Sequence, residues 1–388
     1  MMKIKFPKIG LLPRILMAIL LGILLGGFFP GWLIRIFLTF NGIFSQFLGF
    51  AIPLIILGLV APAIAEIGRG AGRMLLLTVA LAYGSTLLAG LAAYLTGSLT
   101  FPALIESQTA LEGAEATKLL PFFTVDIPPL MEVMTALVLA FMVGLGMAYL
   151  KGDLLRRASN EFRDLVTMTI ESVIIPLLPL YIFGIFLDMA ASGEVMRVMG
   201  VFIQIIGVIF LLHIAWLLLL YTFAGIAARK NPLKMLWRML PAYFTALGTQ
   251  SSAATIPVTL AQAKQIGVRE QIGGFVIPLC ATIHLSGSML KIVSCAMALM
   301  LMQGMPFDLP LFMGFISLLG ITMVAAPGVP GGAIMAALGV LASVLGFSVE
   351  DQALMISLYI AMDSFGTACN VTGDGALAVL VDRITHKK

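Results

Sequence analysis

The chain has 388 residues, of which 60% are apolar and only 11% charged, against roughly 45–50% and about 25% in soluble domains, so a water-soluble fold is excluded. The apolar runs lack the polar–apolar alternation of a lumen-facing strand, which excludes a porin-like barrel as well. A net charge of +4 implies no nucleic-acid partner, because the Lys and Arg sit at the ends of apolar segments, where they orient a chain in a lipid bilayer.

Lys3, Lys5, Lys8 and Arg14 precede the first apolar run. That run has no cleavage-type end, so it is expected to remain as a signal anchor. Apolar segments at about 11–29, 41–66, 71–100, 129–150, 164–192 and 198–228 are each near or above the roughly 20 residues that cross a bilayer. With a cytoplasmic N-terminus, the internal connections carry Arg69 and Arg73, then Lys151, Arg156, Arg157 and Arg163, then Arg229, Lys230, Lys234 and Arg238. All three are basic, as the positive-inside rule demands. The external connection at 101–128 holds Glu106, Glu112, Glu115 and Asp126 against Lys118. The spacing of Gly22 and Gly26 in the first segment permits close helix contact.

Residues 233–268 differ. Both arms are apolar, both ends are basic, and Thr249, Gln250, Ser251, Ser252 and Thr255 lie in the middle. This predicts a helical hairpin that enters and leaves on the cytoplasmic side, with a polar tip that must face protein or a water-filled cavity. After a span at about 271–302, residues 308–348 repeat the design with a tip at Pro327–Gly332 and acidic ends, Asp308 and Glu350 with Asp351. This second hairpin is expected to open outward. A final span from 353 to 381 ends in Asp382, Arg383, Lys387 and Lys388, which places the C-terminus in the cytoplasm. The fold class is therefore all-α and membrane-embedded, with eight transmembrane helices and two opposed re-entrant hairpins. Such an inverted repeat brings broken helices and a substrate site together near the midplane. The spans beside the hairpins are themselves expected to be interrupted, at Thr282–Ser288 and at Asn370–Gly375.

Lys291, Asp363 and Asp374 are the charged residues within those two spans. Each costs at least about 2.5 kcal/mol to insert, so each should face the interior and find a partner. Asp363, Asn370 and Asp374 fall along one helix face, and a carboxylate–amide face supplies the oxygens that hard cations prefer. A buried network that only locks helices together is the plainer alternative. His284 could exchange a proton near neutral pH or be a satisfied core imidazole. His213 reads as structural or lipid-interfacial, and His386 as a tail residue. Cys280, Cys295 and Cys369 lie in apolar stretches without metal spacing and read as small hydrophobes. The Gly-rich run at 328–332 lacks the Lys-Ser/Thr of a phosphate loop.

The runs Ser251-Ser252-Ala253-Ala254-Thr255-Ile256-Pro257-Val258-Thr259, Ile277-Pro278-Leu279-Cys280-Ala281-Thr282-Ile283, Gly328-Val329-Pro330-Gly331-Gly332-Ala333-Ile334-Met335 and Asn370-Val371-Thr372-Gly373-Asp374 resemble the dicarboxylate/amino acid:cation symporters, the glutamate-transporter-homologue family. The specific motifs cover about 240–385, and the earlier spans match by count and hydropathy. The resemblance implies a homotrimer whose scaffold holds three transport domains that move as elevators. It divides the chain into 1–66 (scaffold helices 1–2), 67–101 (transport helix 3), 102–193 (external loop and scaffold helices 4–5) and 194–388 (transport helix 6, the hairpins, helices 7 and 8). It also implies that Ser251, Ser252, Val329, Gly331, Thr367 and Asn370 bind substrate, that Asp363 holds its amino group, and that Ser288 contacts its side chain. For sodium it implies Asn370 with Asp374, a second site at Thr282 with the second-tip carbonyls, and a further one at Tyr83 and Thr86, with Cys280 and His284 as additional candidate ligands.

Two departures carry weight. The family's Asn-Met-Asp-Gly-Thr run reads His284-Leu285-Ser286-Gly287-Ser288 here, which removes a carboxylate from the third cation site. The Arg that clamps an acidic side chain would stand at Gly366. The expected function is thus secondary transport of a small neutral amino acid in the inner membrane of a prokaryote, coupled to sodium. His284 and Lys291 are candidates to replace part of that coupling, with protons as the other coupling ion. The alternative is an acidic amino acid or dicarboxylate held by Lys291. Neither a channel nor an intramembrane enzyme accounts for two opposed hairpins without a nucleophile–base or metal constellation.

Overall fold

The computed structural model describes residues 11–69, 73–109, 119–193, 195–324, 326 and 331–386. All regular structure among them is helical. The helices are α1 (Leu11–Gly26), α2 (Gly31–Arg69), α3 (Arg73–Thr109), α4 (Val133–Tyr149), α5 (Leu154–Thr169), α6 (Ile175–Ala191), α7 (Val195–Ala228), α8 (Pro232–Thr249), α9 (Ser252–Gln265), α10 (Glu270–Ile283), α11 (Ser286–Met302), α12 (Leu309–Val324), α13 (Gly332–Leu345), α14 (Val349–Ala361) and α15 (Asp363–His386). Among the described residues five helical spans are long and apolar enough to cross a membrane, and α14 with α15 makes a sixth, bent by 62°. Helices α1 and α4, at 16 and 17 residues, fall short of the roughly 20 of a straight crossing.

Several boundaries differ from the expected ones, for local reasons. The second span begins at Gly31 rather than near 41. The two polar side chains of its first turns are tied to the chain at 119–132: Arg35 Nε donates to Leu120 O at 2.8 Å, and Phe122 N donates to Thr39 Oγ1 at 2.9 Å. The third helix runs to Thr109 through Pro102. The fifth span starts at Leu154 as the amphipathic α5 and passes through a π-helical turn, Ile170–Ile174, into α6. Pro176 follows that turn, and the widened ring relieves the clash its pyrrolidine would make with the carbonyl four residues back.

One expected interruption is misplaced. Residues 370–375 are helical throughout, inside α15, and the break in the last span falls at Met362. The glycines there allow close packing instead: a Cβ on Gly373 would lie 2.8 Å from His284 Cε1, and one on Gly375 2.8 Å from the Tyr221 hydroxyl. The other expected interruption is present, at His284 and Leu285 between α10 and α11.

Helix α1 packs on α6, and α2 packs on α4, α5 and α6. Gly22 and Gly26 lie against the α6 backbone, as close contact through small residues requires. A second group surrounds α15, which touches α3, α7, α8, α9, α10, α11 and α14. Helix α11 is buried on every side over Ser286–Met300, polar residues included, so whatever its side chains do, they do inside the protein.

Candidate functional site

Four helices begin around one cleft. Ser252 opens α9, Ser286 opens α11, Gly332 opens α13 and Asp363 opens α15. The cleft is lined by Gln250, Ser252, Ala281, Thr282, Leu285, Ser288, Ala326, Gly331, Gly332, Ala333, Tyr359, Asp363, Thr367 and Asn370. A helix N-terminus carries about half a positive charge and free N–H groups, so this convergence favours an anionic group such as a carboxylate. The local backbone produces the breaks. Gln250 adopts a left-handed conformation (φ 54°) that stops α8, and Ser251 then caps α9 by accepting from Ala254 N at 3.2 Å. Gly331, at φ 78°, makes the corresponding turn into α13.

The charged groups are matched in pairs. Asp363, 4% exposed, accepts from Gly331 N at 2.8 Å through Oδ2 and from Lys291 Nζ at 3.3 Å through Oδ1. Lys291 is wholly buried. Its ammonium also donates to Met362 O at 3.4 Å and lies 3.6 Å from the centre of the Tyr359 ring. Its stem covers Gly366: any Cβ at that position would collide with Lys291 Cε. Asn370 ties α15 to the first turn of α11, since its Oδ1 accepts from Gly287 N at 2.7 Å and its Nδ2 donates to Ser288 Oγ at 3.2 Å. Ser288 and the Tyr359 hydroxyl share a further hydrogen bond of 2.9 Å. One turn beyond Asn370, Asp374 Oδ1 accepts from His284 Nδ1 at 2.9 Å.

Of the residues singled out from the sequence, Ser252, Thr282, Ser288, Gly331, Asp363, Thr367 and Asn370 line the cleft. Ser251 caps α9 at its edge, Gly366 lies under Lys291, and Val329 lies outside the described residues. Thr282 Oγ1 donates to Leu279 O at 2.8 Å. Cys280 is buried, and its carbonyl accepts from His284 N at 2.8 Å. Tyr83 and Thr86 do not reach the cleft: the first donates to Ser317 O on α12 at 2.9 Å, the second to Ala82 O at 2.9 Å. Ser85, between them, meets His284 Nε2 instead, at 3.0 Å.

Three contributors escaped sequence reasoning: Ser85, Tyr359 and Tyr221. His213, read as structural or lipid-interfacial, is structural: it is buried, and its Nε2 donates to Gly287 O at 3.0 Å. Tyr221 donates to Thr372 O at 2.7 Å. Tyr359 stands four residues before Asp363, one turn away across the bend, and that spacing was the one available signal.

Asp374 offers a poor seat for a sodium ion in this arrangement. A hard cation needs several converging oxygens, whereas a ring nitrogen donates to the Asp374 carboxylate, the Asn370 carbonyl oxygen already accepts from Gly287, and residue 286 is a serine whose hydroxyl has no partner.

A family profile described as the sodium:dicarboxylate symporter family matches residues 11–384. The neutral amino acid transporter B(0) of Rattus norvegicus is 30% identical over 264 residues, which are 65% of this chain and 47% of the rat protein. The chain thus spans about half the length of that relative. The serine/threonine transporter SstT of Acinetobacter baumannii is 28% identical over 396 residues, covering 97% of both chains. The excitatory amino acid transporter 3 of Homo sapiens is 31% identical over 246 residues, 61% of this chain and 45% of the human one.

Proposed function

Because the chain belongs to the sodium:dicarboxylate symporter family, a family of transporters and not of enzymes, we propose that it carries a small neutral amino acid across a membrane together with a cation. The observation that supports this reading is the cleft where α9, α11, α13 and α15 begin around Asp363 and Asn370. The substrate carboxylate sits at the helix N-termini and its ammonium against Asp363. A carboxylate has about four acceptor sites, and Asp363 uses two of them on Gly331 and Lys291, which leaves room for the ammonium. The serine/threonine transporter that matches over 97% of this chain favours a small polar side chain, which Ser288 and Thr367 can meet.

In this reading the protein is a homotrimer. Helices α1, α2 and α4–α6 form the scaffold, and α3 with α7–α15 forms the moving transport domain. Helices α8–α9 and α12–α13 are the two re-entrant hairpins, each closing the cleft from one side of the membrane. The coupling cation is sodium, and Thr282, which lines the cleft, is its candidate ligand among the described residues.

A second reading rests on Lys291. Its ammonium lies above Gly366, where an acidic-substrate relative would carry its Arg, and could hold a second carboxylate as a point charge. The neutral reading is preferred because that ammonium is already engaged with Asp363 and the Tyr359 ring. Counterflow of labelled serine in proteoliposomes tests both. Exchange against unlabelled serine, threonine or alanine supports the neutral reading. Strongest exchange against aspartate or succinate, lost in Lys291→Ala, replaces it with the second, and the absence of any exchange overturns transport of these substrates.

A further inference from the structure

His284 sits at the gap between α10 and α11 with both ring nitrogens engaged: Nδ1 is 2.9 Å from Asp374 Oδ1, and Nε2 is 3.0 Å from Ser85 Oγ on α3. It is wholly buried and Asp374 is 1% exposed. A carboxylate this deep in an apolar bundle is costly without a partner, and here the partner is covalently part of the chain. The fit is built in. Gly373, next to Asp374, has no Cβ, and one there would stand 2.8 Å from the imidazole. Ser286, two residues along from His284, is a neutral hydroxyl without a partner, and among the described residues the side-chain hydrogen bond to Asp374 comes from His284. An N–H aimed at a carboxylate oxygen and a metal cation cannot occupy the same place.

We propose that His284 stands in for a bound sodium ion at Asp374, making from within the chain the bridge that joins the α10–α11 break to α15. The cleft is then assembled at this point without sodium, and fewer sodium ions accompany each substrate than a cation-filled site would require. The inference rests on reading the cleft as a substrate site only for that last consequence. The bridge itself concerns the substrate-free protein.

The test uses the full chain purified in detergent, with its unfolding temperature measured in sodium chloride and in choline chloride at equal concentration. In His284→Asn the imidazole is gone and Asp374 is open to an ion. Ligands that bind only the native state stabilise it, so sodium should raise the unfolding temperature of this variant above its effect on the wild type, by about 1 °C for every ~1 kcal/mol of binding in a chain of this length. Equal sodium shifts in the two proteins overturn the proposal. Should His284→Asn fail to fold, Asp374→Asn decides: an unchanged sodium shift relative to wild type supports it, and a diminished one overturns it. The wild type supplies an independent measure, how steeply log Kd for labelled serine falls as log sodium concentration rises. A fall of about one log unit or less per tenfold sodium is expected, and about two or more overturns the inference. If no amino acid binds, the functional reading fails while the sodium shifts of the substrate-free proteins still decide the role of His284.

Discussion

Lys291 shows how one residue sets the character of the cleft. The side chain is buried completely, with its ammonium between the Asp363 carboxylate, the Met362 carbonyl and the Tyr359 ring. Removing one member of such a pair leaves an uncompensated buried charge, at a cost of about 3–5 kcal/mol. Lys291→Met keeps the stem over Gly366 and deletes only the charge. The substrate-free variant should therefore unfold at a lower temperature than wild type. A ligand carrying an ammonium should recover more stability in it than in wild type, because the freed Asp363 then gains its only cation from the ligand. Thermal unfolding with and without serine checks both, and an unaffected substrate-free protein would mean that Asp363 does not depend on Lys291.

At the scale of the elements, the breaks matter more than the helices. Gln250 stops α8 in a left-handed conformation, which costs a non-glycine residue about 1–2 kcal/mol and a β-branched one more. Gln250→Gly should leave stability equal or higher, and Gln250→Val should lower it. Next to it, Ser251 caps α9 through Ala254 N, and Ser251→Ala should cost about 0.5–2 kcal/mol, as lost N-caps do. Because this N-terminus faces the cleft, the Ser251→Ala loss should be accompanied by weaker serine binding. Binding titrations of the three variants separate the effects: Gln250→Gly is expected to retain the α9 cap, and Ser251→Ala is not. A Ser251→Ala protein with wild-type stability and affinity would remove the cap from the account.

At the scale of the whole molecule, the charge pattern supports the proposed orientation of the bundle, in which the basic connections after α2, α4 and α7 face the cytoplasm and the acidic connection before α4 faces the other side. The three cysteines are buried, so the natural chain gives little background to a membrane-impermeant thiol reagent. Phe123→Cys, exposed ahead of α4, should label from outside intact cells. Leu233→Cys, exposed at the start of α8, should label only after permeabilisation. The reverse pattern would invert the proposed entry sides of both hairpins. Crosslinking in the membrane should give a species of three times 41.4 kDa if the scaffold helices form the homotrimer.

Sequence alone determined that this is an all-helical chain for a membrane, that polar breaks interrupt its second half, and that Asp363, Asn370 and Asp374 share a helix face. These follow from apolar run length, from the cost of charge in lipid and from helical periodicity, all of which are local along the chain. The run Asn370–Gly375 misled, because glycine reads as a breaker in sequence, whereas Gly373 and Gly375 serve close packing against His284 and Tyr221 inside an unbroken helix. Nor did any spacing show that Ser85 rather than Tyr83 or Thr86 would meet His284, that His213 would hold the Gly287 carbonyl, or that Lys291 would cover Gly366. Those pairings join residues between 74 and 199 positions apart, and only the packing of α3, α7, α11 and α15 around one another decides which partner each buried polar group receives.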